Sequence, residues 1–229
     1  MNFRKKNIIS FGVISIMAIA GIGMVLFSRM LPSIQLQIFE GNKAVNYLDI
    51  SDDILFRQTL NNCAPYSVMG VVNVLTGKKP DPEVLAGETT WRIMKNLTFP
   101  QGLIDLLRKN NIKTREYSMK LYSQDQKVIW LKNRIDSGNP VILLVKVKGI
   151  QHYFTVIGYD QEGFMLYDSL QEKRSSDTML TVIDKPEYPG NRYYKNGELT
   201  GLWDKGGYKI FFRNWAVVCG PWKYKKLRE

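Results

Sequence analysis

Gln151-His-Tyr-Phe-Thr-Val-Ile-Gly-Tyr-Asp160 opens on the one histidine of the chain, His152, and continues as an apolar run with period-two character. That pattern predicts a β-strand. A turn-like tetrapeptide, Asp160-Gln-Glu-Gly163, follows, and then a second strand-like run, Phe164-Met-Leu-Tyr167, which ends at Asp168. Together they predict an antiparallel hairpin. In such a hairpin the start of the first strand and the end of the second lie at the same end, so His152 and Asp168 are brought near each other. The simplest register does not set them directly opposite, so a bulge or side-chain reach must close the gap.

Working outward, the next informative stretch lies far upstream: Gln58-Thr-Leu-Asn-Asn-Cys63-Ala-Pro-Tyr-Ser67. Pro65, Val68, Val71, Val72 and Leu75 follow helical spacing and Gly77 is a stop signal. Cys63 is therefore expected at or just before a helix N-terminus. Unpaired N–H groups and the partial positive charge of that terminus favour a thiolate over a thiol. An imidazole can take the thiol proton and later return it to a leaving amine, and His152 is the sole histidine available. Asp168 would orient the ring. The side-chain amide of Gln58, with the backbone N–H of Cys63, would supply donors to an oxyanion. Each residue also has an ordinary structural use, as packing, a strand side chain or a turn former. It is the combination that points to thiol-based acyl transfer.

Elsewhere the first half reads as helical. Asp81-Pro-Glu-Val-Leu-Ala starts a short helix, Gly102-Leu-Ile-Asp-Leu-Leu-Arg-Lys-Asn110 has one apolar face, and residues 127–137 carry Val128, Leu131 and Ile135 at helical spacing. Gly138-Asn-Pro140 breaks that pattern before Val141-Ile-Leu-Leu-Val145, a short buried strand. Residues 208–212 and 215–218 suggest further strands, residues 33–38 a short strand or tether, and residues 186–204 a long surface loop. Late aromatics such as Trp203, Tyr193 and Tyr194 receive no functional role. A helix-rich half carrying the thiol and a sheet-rich half carrying the base make an α+β domain with the site in the cleft between them.

Composition narrows the setting. Residues 7–28 contain no charge and follow Arg4, Lys5 and Lys6, and a helix of that length spans the roughly 30 Å hydrocarbon layer. Ala18-Ile-Ala20 fits a signal-peptidase site, but apolar residues continue to Phe27, so an uncleaved anchor is expected. The expected organisation is a cytoplasmic segment 1–6, a signal anchor 7–28, a tether 29–46 and one domain 47–229 outside the cytoplasm. The net charge is +11, or +7 without Arg4, Lys5, Lys6 and Arg29. With no basic, aromatic-interleaved stripe or recognisable module, nucleic-acid binding is not expected. Two cysteines and one histidine match no structural zinc pattern, and no metal or cofactor is expected. A Cys63–Cys219 disulfide stays open beside a small buried thiol at Cys219.

The quoted segments, with Gly138-Asn-Pro-Val-Ile142 and Tyr167-Asp-Ser169, resemble the papain-like cysteine peptidases of the bacteriocin leader-processing group, over about Asp53 to Ser169. The resemblance implies a papain-like fold with Cys63 as nucleophile, His152 as base and acid, Asp168 as orienting residue and Gln58 in the oxyanion hole. Ala64 stands where the group usually has Gly, and Asn62 where the leader-processing members often have Asp. The chain shows no Gly-x-x-x-x-Gly-Lys-Ser/Thr phosphate loop, so a stand-alone, membrane-anchored peptidase is expected in place of the transporter fusion. Its substrate would be a peptide or protein cut at a peptide or isopeptide bond through a Cys63 thioester. Competing readings are an acyltransferase on the same residues and a surface binding module that keeps the fold without turnover, which would have no need of nucleophile and base together.

Overall fold

A computed structural model of the chain describes residues 21–22, 43–93, 97–171, 188–208 and 211–220. In chain order the elements are β1 (Asn46–Tyr47), a 3-10 turn (Asp52–Ile54), α1 (Cys63–Thr76), α2 (Pro82–Glu88), β2 (Arg92–Ile93), β3 (Leu97–Thr98), α3 (Pro100–Lys109), β4 (Thr114–Ser118), α4 (Gln124–Asp136), β5 (Val141–Val147), β6 (Ile150–Tyr159), β7 (Gly163–Tyr167), β8 (Arg192–Lys195), α5 (Asn196–Asp204) and β9 (Trp215–Cys219). Strands β4-β9-β5-β6-β7-β8 form one antiparallel sheet, and β1 pairs with the end of β6. The α+β, antiparallel-sheet expectation holds.

Alternation along the strands explains the layers. Ile142 and Leu144 of β5, Tyr153 and Ile157 of β6, and Met165 and Tyr167 of β7 pack with α1 and α3. Their neighbours Val141, Leu143, Val145, Phe154, Val156, Phe164 and Leu166 pack with Leu131 and Ile135 of α4 and Leu199 and Trp203 of α5. Helices thus cover both faces, so the central strands are buried on both sides, and β6 is buried continuously from His152 to Tyr159. The period-two polarity read there is not an exposed face. It reflects two different apolar layers.

Helix α1 runs through the core from Cys63 to Asn73 without an exposed residue, and burying each large aliphatic among them is worth roughly 1.5–3 kcal/mol. Gly77 ends the helix at φ 70°, a left-handed conformation that glycine adopts without strain. Gly70 lets it close on the sheet, since a Cβ there would lie 2.8 Å from Tyr167 Cδ1. Helix α4 begins with a capping box: Ser123 accepts from the Gln126 N–H, and the Gln126 side chain accepts from the Ser123 N–H.

The described residues depart from the sequence reading in three places. Residues 186–204 are not one loop, because among the described part β8 and α5 occupy 192–204. Gly197 and Gly201 weaken the helical signal of α5, but Leu199 and Trp203 are fully buried and Trp203 Nε1 donates to the Trp215 carbonyl at 2.9 Å. Tertiary burial outweighs propensity there. Of residues 208–212 the described ones form no regular strand, since Tyr208 and Phe211 make an isolated bridge and Phe212 has φ 54°. Strand β4 went unread, since Thr114-Arg-Glu-Tyr-Ser118 is polar and its stability comes from pairing with β9. The 33–38 segment lies outside the described residues, as does the 7–28 anchor apart from residues 21–22. Among the described residues no helix is long and apolar enough to cross a membrane.

Candidate functional site

The register of β6 and β7 decides which way Asp168 faces. Tyr159 pairs with Phe164 and Gly158 with Met165, but a bulge between Val156 and Gly158 shifts the ladder so that Val156 pairs with Leu166 and Thr155 with Tyr167. Continued, the shifted register sets Asp168 opposite Phe154, on the same side as His152 and one diagonal away. Without the extra residue Asp168 would stand opposite Thr155 and point to the other face, because a slip of one residue inverts every side chain beyond it. The gap foreseen from the simple register is thus closed by a bulge and a diagonal reach. His152 Nε2 lies 2.8 Å from Asp168 Oδ1, both groups fully or almost fully buried.

His152 is 2 % exposed and its ring meets Phe154 edge-on at 5.1 Å. Burial alone would drive the imidazole towards its neutral form. The charge and hydrogen bond of Asp168, joined by a hydrogen bond and charge interaction with Cys63, together outweigh burial, so the pKa is pulled up to about 9. At neutral pH the ring is an imidazolium. Since Nε2 is taken by Asp168, Nδ1 is the nitrogen left for the thiol.

Asp168 is held from several directions. Its Oδ1 also accepts from the Leu170 N–H at 2.9 Å. Its backbone is clamped by one side chain: Asn191 Oδ1 accepts from the Asp168 N–H at 2.8 Å, and Asn191 Nδ2 donates to the Asp168 carbonyl at 2.9 Å. Arg192 Nε stands 3.8 Å from Asp168 Oδ2, with both side chains fully buried. Neither Asn191 nor Arg192 was singled out from the sequence. Both lie in the stretch read as loop, and only the pairing of Arg192 with Leu166 across β7 and β8 brings them to Asp168.

Cys63 is the first residue of α1, as expected. It is buried, 9 % exposed, and both it and Cys219 are free thiols, which settles the disulfide alternative. Burial pushes the Cys219 thiol up, the behaviour of an inert core residue. In front of Cys63, Asn62 accepts from Arg92 Nη2 through its Oδ1, and its Nδ2 donates to Thr59 Oγ1 at 2.7 Å and Glu83 Oε2 at 3.4 Å. Glu83 Oε1 further accepts from Thr59 Oγ1 at 2.8 Å and the Tyr66 hydroxyl at 2.9 Å. Partial burial lowers the Arg92 guanidinium from its usual value, opposed by the charges of Cys63 and Glu83. Arg92, Glu83 and Thr59 form a polar collar at the helix start that sequence reading missed, because they come from separate elements.

Gln58 is brought to the same place. Its backbone N–H donates to the Ser169 carbonyl at 2.7 Å, and its side-chain Oε1 accepts from Ser169 Oγ at 2.7 Å. With the amide oxygen occupied, the NH₂ end is the part available to donate. Ser169 follows Asp168 directly, so one short segment orients both the acid and the amide. All four residues picked from the sequence, Gln58, Cys63, His152 and Asp168, therefore join one continuous set of contacts. The arrangement brings together a thiol, a protonated imidazole, a carboxylate and a side-chain amide. Among the described residues no cluster of three or more His, Cys, Asp or Glu has the geometry to hold a metal.

This chain is similar to known peptidases. The Peptidase_C39 like family matches residues 45–199. A C39-like peptidase structure from Bacillus anthracis is 14% identical, with 77% of this chain and 98% of that chain covered and a TM-score of 0.50. The peptidase domain of Streptococcus ComA, a bi-functional ABC transporter involved in a quorum-sensing pathway, is 14% identical over 73% of this chain and 97% of that chain, with a TM-score of 0.48. A double glycine motif protease from an AMS/PCAT transporter, solved with a leader peptide, is 11% identical over 82% of this chain and 100% of that chain, with a TM-score of 0.49. No curated protein matches.

Proposed function

Because the chain belongs to the Peptidase_C39 like family and is a cysteine peptidase, we propose that Cys63, His152, Asp168 and Gln58 are its working residues and that the domain acts outside the cytoplasm, tethered by residues 7–28. One observation carries the assignment of roles: a buried His152 that contacts Asp168 at 2.8 Å and Cys63 on the same ring, and is kept protonated by them.

In the proposed reaction the Cys63 thiolate attacks the carbonyl carbon of the scissile amide, and the C–N bond breaks as the His152 imidazolium gives its proton to the departing amine. The Cys63 N–H and the Gln58 NH₂ hold the oxyanion between these events. The acyl group remains as a thioester on Cys63. Neutral His152 then takes a proton from water, the hydroxide oxygen attacks the thioester, and the acid leaves as Cys63 regains its place in the ion pair. Asp168 acts through His152 by fixing ring orientation and favouring the charged form. The uncharged stretch 7–28 behind Arg4, Lys5 and Lys6 supports the tether and its orientation.

The test combines mass-spectrometric identification of products from a peptide library with a Cys63→Ala control. New carboxyl termini formed by the unaltered chain and absent from the variant are expected. Products that persist in the variant would remove Cys63 from the mechanism. An added amine captured in place of water would shift the reading to acyl transfer. A membrane-impermeant thiol reagent applied to intact cells reads the orientation, with Cys63 labelled only if the domain faces outward.

A further inference from the structure

Beside the catalytic contacts the fold builds a basic recess of about 760 Å³. Among its described lining residues are four cations: Lys146 from β5, Lys148 from the β5–β6 turn, Lys205 just after α5 and Arg213 just before β9. All four are exposed. Among the described lining residues the one carboxylate, Asp204, is already engaged, since its Oδ1 accepts from Lys127 Nζ and from Asn214 Nδ2 at 2.7 Å. Burial opposes its ionisation, yet the Lys127 contact holds its carboxyl below the ordinary value. Its charge is therefore offset by Lys127, and the recess keeps a positive balance among its described lining residues.

The wall is built, not incidental. The segment after α5 is laid against the β5–β6 hairpin so closely that a Cβ on Gly206 would stand 2.0 Å from the Leu144 carbonyl oxygen. Gly207, at φ 104°, donates its N–H to Gln151 Oε1 at 2.8 Å. This strap fixes the backbone from which Lys205 projects. Lys146 pairs with Gln151 across the two strands, about one strand spacing of 5 Å away, and Gln151 directly precedes His152. On the other side Tyr208 lines the recess while interacting with the Tyr153 hydroxyl and with Cys63. Gln151 and Tyr208 thus place one wall of the recess beside the candidate centre.

We infer that this recess is a specificity subsite that receives acidic side chains of the peptide substrate next to the scissile bond. The inference rests on the peptidase reading above. A volume of this size holds several residues of a chain. Lysines and an arginine spread along its rim suit carboxylates dispersed along a peptide better than one compact anion, which would call for convergent, buried donors.

The experiment separates the two readings. The full-length Cys63→Ala chain in nonionic detergent is titrated with a fluorescent peptide rich in Asp and Glu and with its Asn and Gln counterpart, by anisotropy at low ionic strength. The acidic peptide should bind on the order of tenfold more tightly, and the preference should vanish near 1 M salt, where the screening length is about 3 Å. Adding Lys146→Glu, Lys205→Glu and Arg213→Glu should reverse the preference towards a Lys-rich peptide, a gain that a misfolded chain could not show. Equal affinity of the unreversed chain for the acidic and amide peptides overturns the subsite, and so does tighter binding of inorganic polyphosphate than of the acidic peptide. Cleavage is read separately with Cys63 intact: an acidic binding preference without cleavage of any peptide overturns the peptidase reading and leaves the subsite standing.

Discussion

The two flanks of the candidate centre are held by different physics. On the Asp168 side the side chains His152, Asn191 and Arg192 are almost or wholly inaccessible, and their interactions act in a low-dielectric interior. On the Cys63 side the collar is partly or fully solvent-facing, with Glu83 and Thr59 exposed and Arg92 half-buried, so its charges are screened. His152 is therefore held by the core, whereas Cys63 starts a helix whose entrance is lined by weaker surface contacts. Losing a partner on the first flank strands a buried polar group; on the second, the exposed Glu83 and Thr59 can turn to water instead.

That contrast can be broken most severely at Asp168. In Asp168→Asn the largest influence raising the His152 pKa disappears, burial then favours the neutral ring, and the peptidase rate should fall by on the order of a hundredfold or more. The pH profile gives the sign. In the unaltered chain the imidazolium is lost as pH rises through about 9, so the alkaline limb should lie there, and in the variant it should move to lower pH. An unmoved limb would mean that Asp168 does not set the His152 charge.

Arg192→Leu comes next. It leaves Asp168 with less compensation in the core, and a loss of about 3–5 kcal/mol is expected in denaturant unfolding. A loss below about 1 kcal/mol would show that the 3.8 Å pair matters little. Asn191→Ala removes the clamp on both backbone groups of Asp168 and should cost roughly 2–3 kcal/mol. The smallest effect belongs to the exposed collar. Glu83→Gln should change stability by no more than about 1 kcal/mol and alter the rate of iodoacetamide labelling at Cys63 only a few-fold. If it matched Arg192→Leu in severity, the division between buried and screened flanks would be wrong.

The collar also gives a reason for Asn62, where the resembling enzymes often carry Asp. Its amide accepts from Arg92 and donates towards Thr59 and Glu83 at once. A carboxylate could do the first but would repel Glu83. The departure noted in sequence is therefore matched by the local charge pattern, which only becomes visible when α1, α2 and β2 meet.

Much of the fold was legible because local patterns and tertiary packing agree. Helical spacing after Pro65 and the Gly77 stop correspond to α1, the Asp160–Gly163 turn to the β6–β7 hairpin, and the apolar face around Gly102 to α3. Where they disagree, reading failed. α5 carries two glycines and is held by Trp203, β4 is polar and is held by pairing with β9, and Phe212 has a left-handed φ of 54° where the sequence suggests a strand.

By itself the sequence determined the chemistry on offer: one histidine, a cysteine placed by Pro65 and its apolar neighbours at a helix start, and a carboxylate at the far end of a hairpin. These follow from residue identity and short-range periodicity, which need no partner from elsewhere in the chain. Tertiary structure alone decided that Asp168 faces His152, through a bulge of one residue, that Asn191 and Arg192 stand behind it, and that Lys146, Lys205 and Arg213 converge on one recess. Register and long-range convergence arise from packing between distant segments, and no local pattern encodes them.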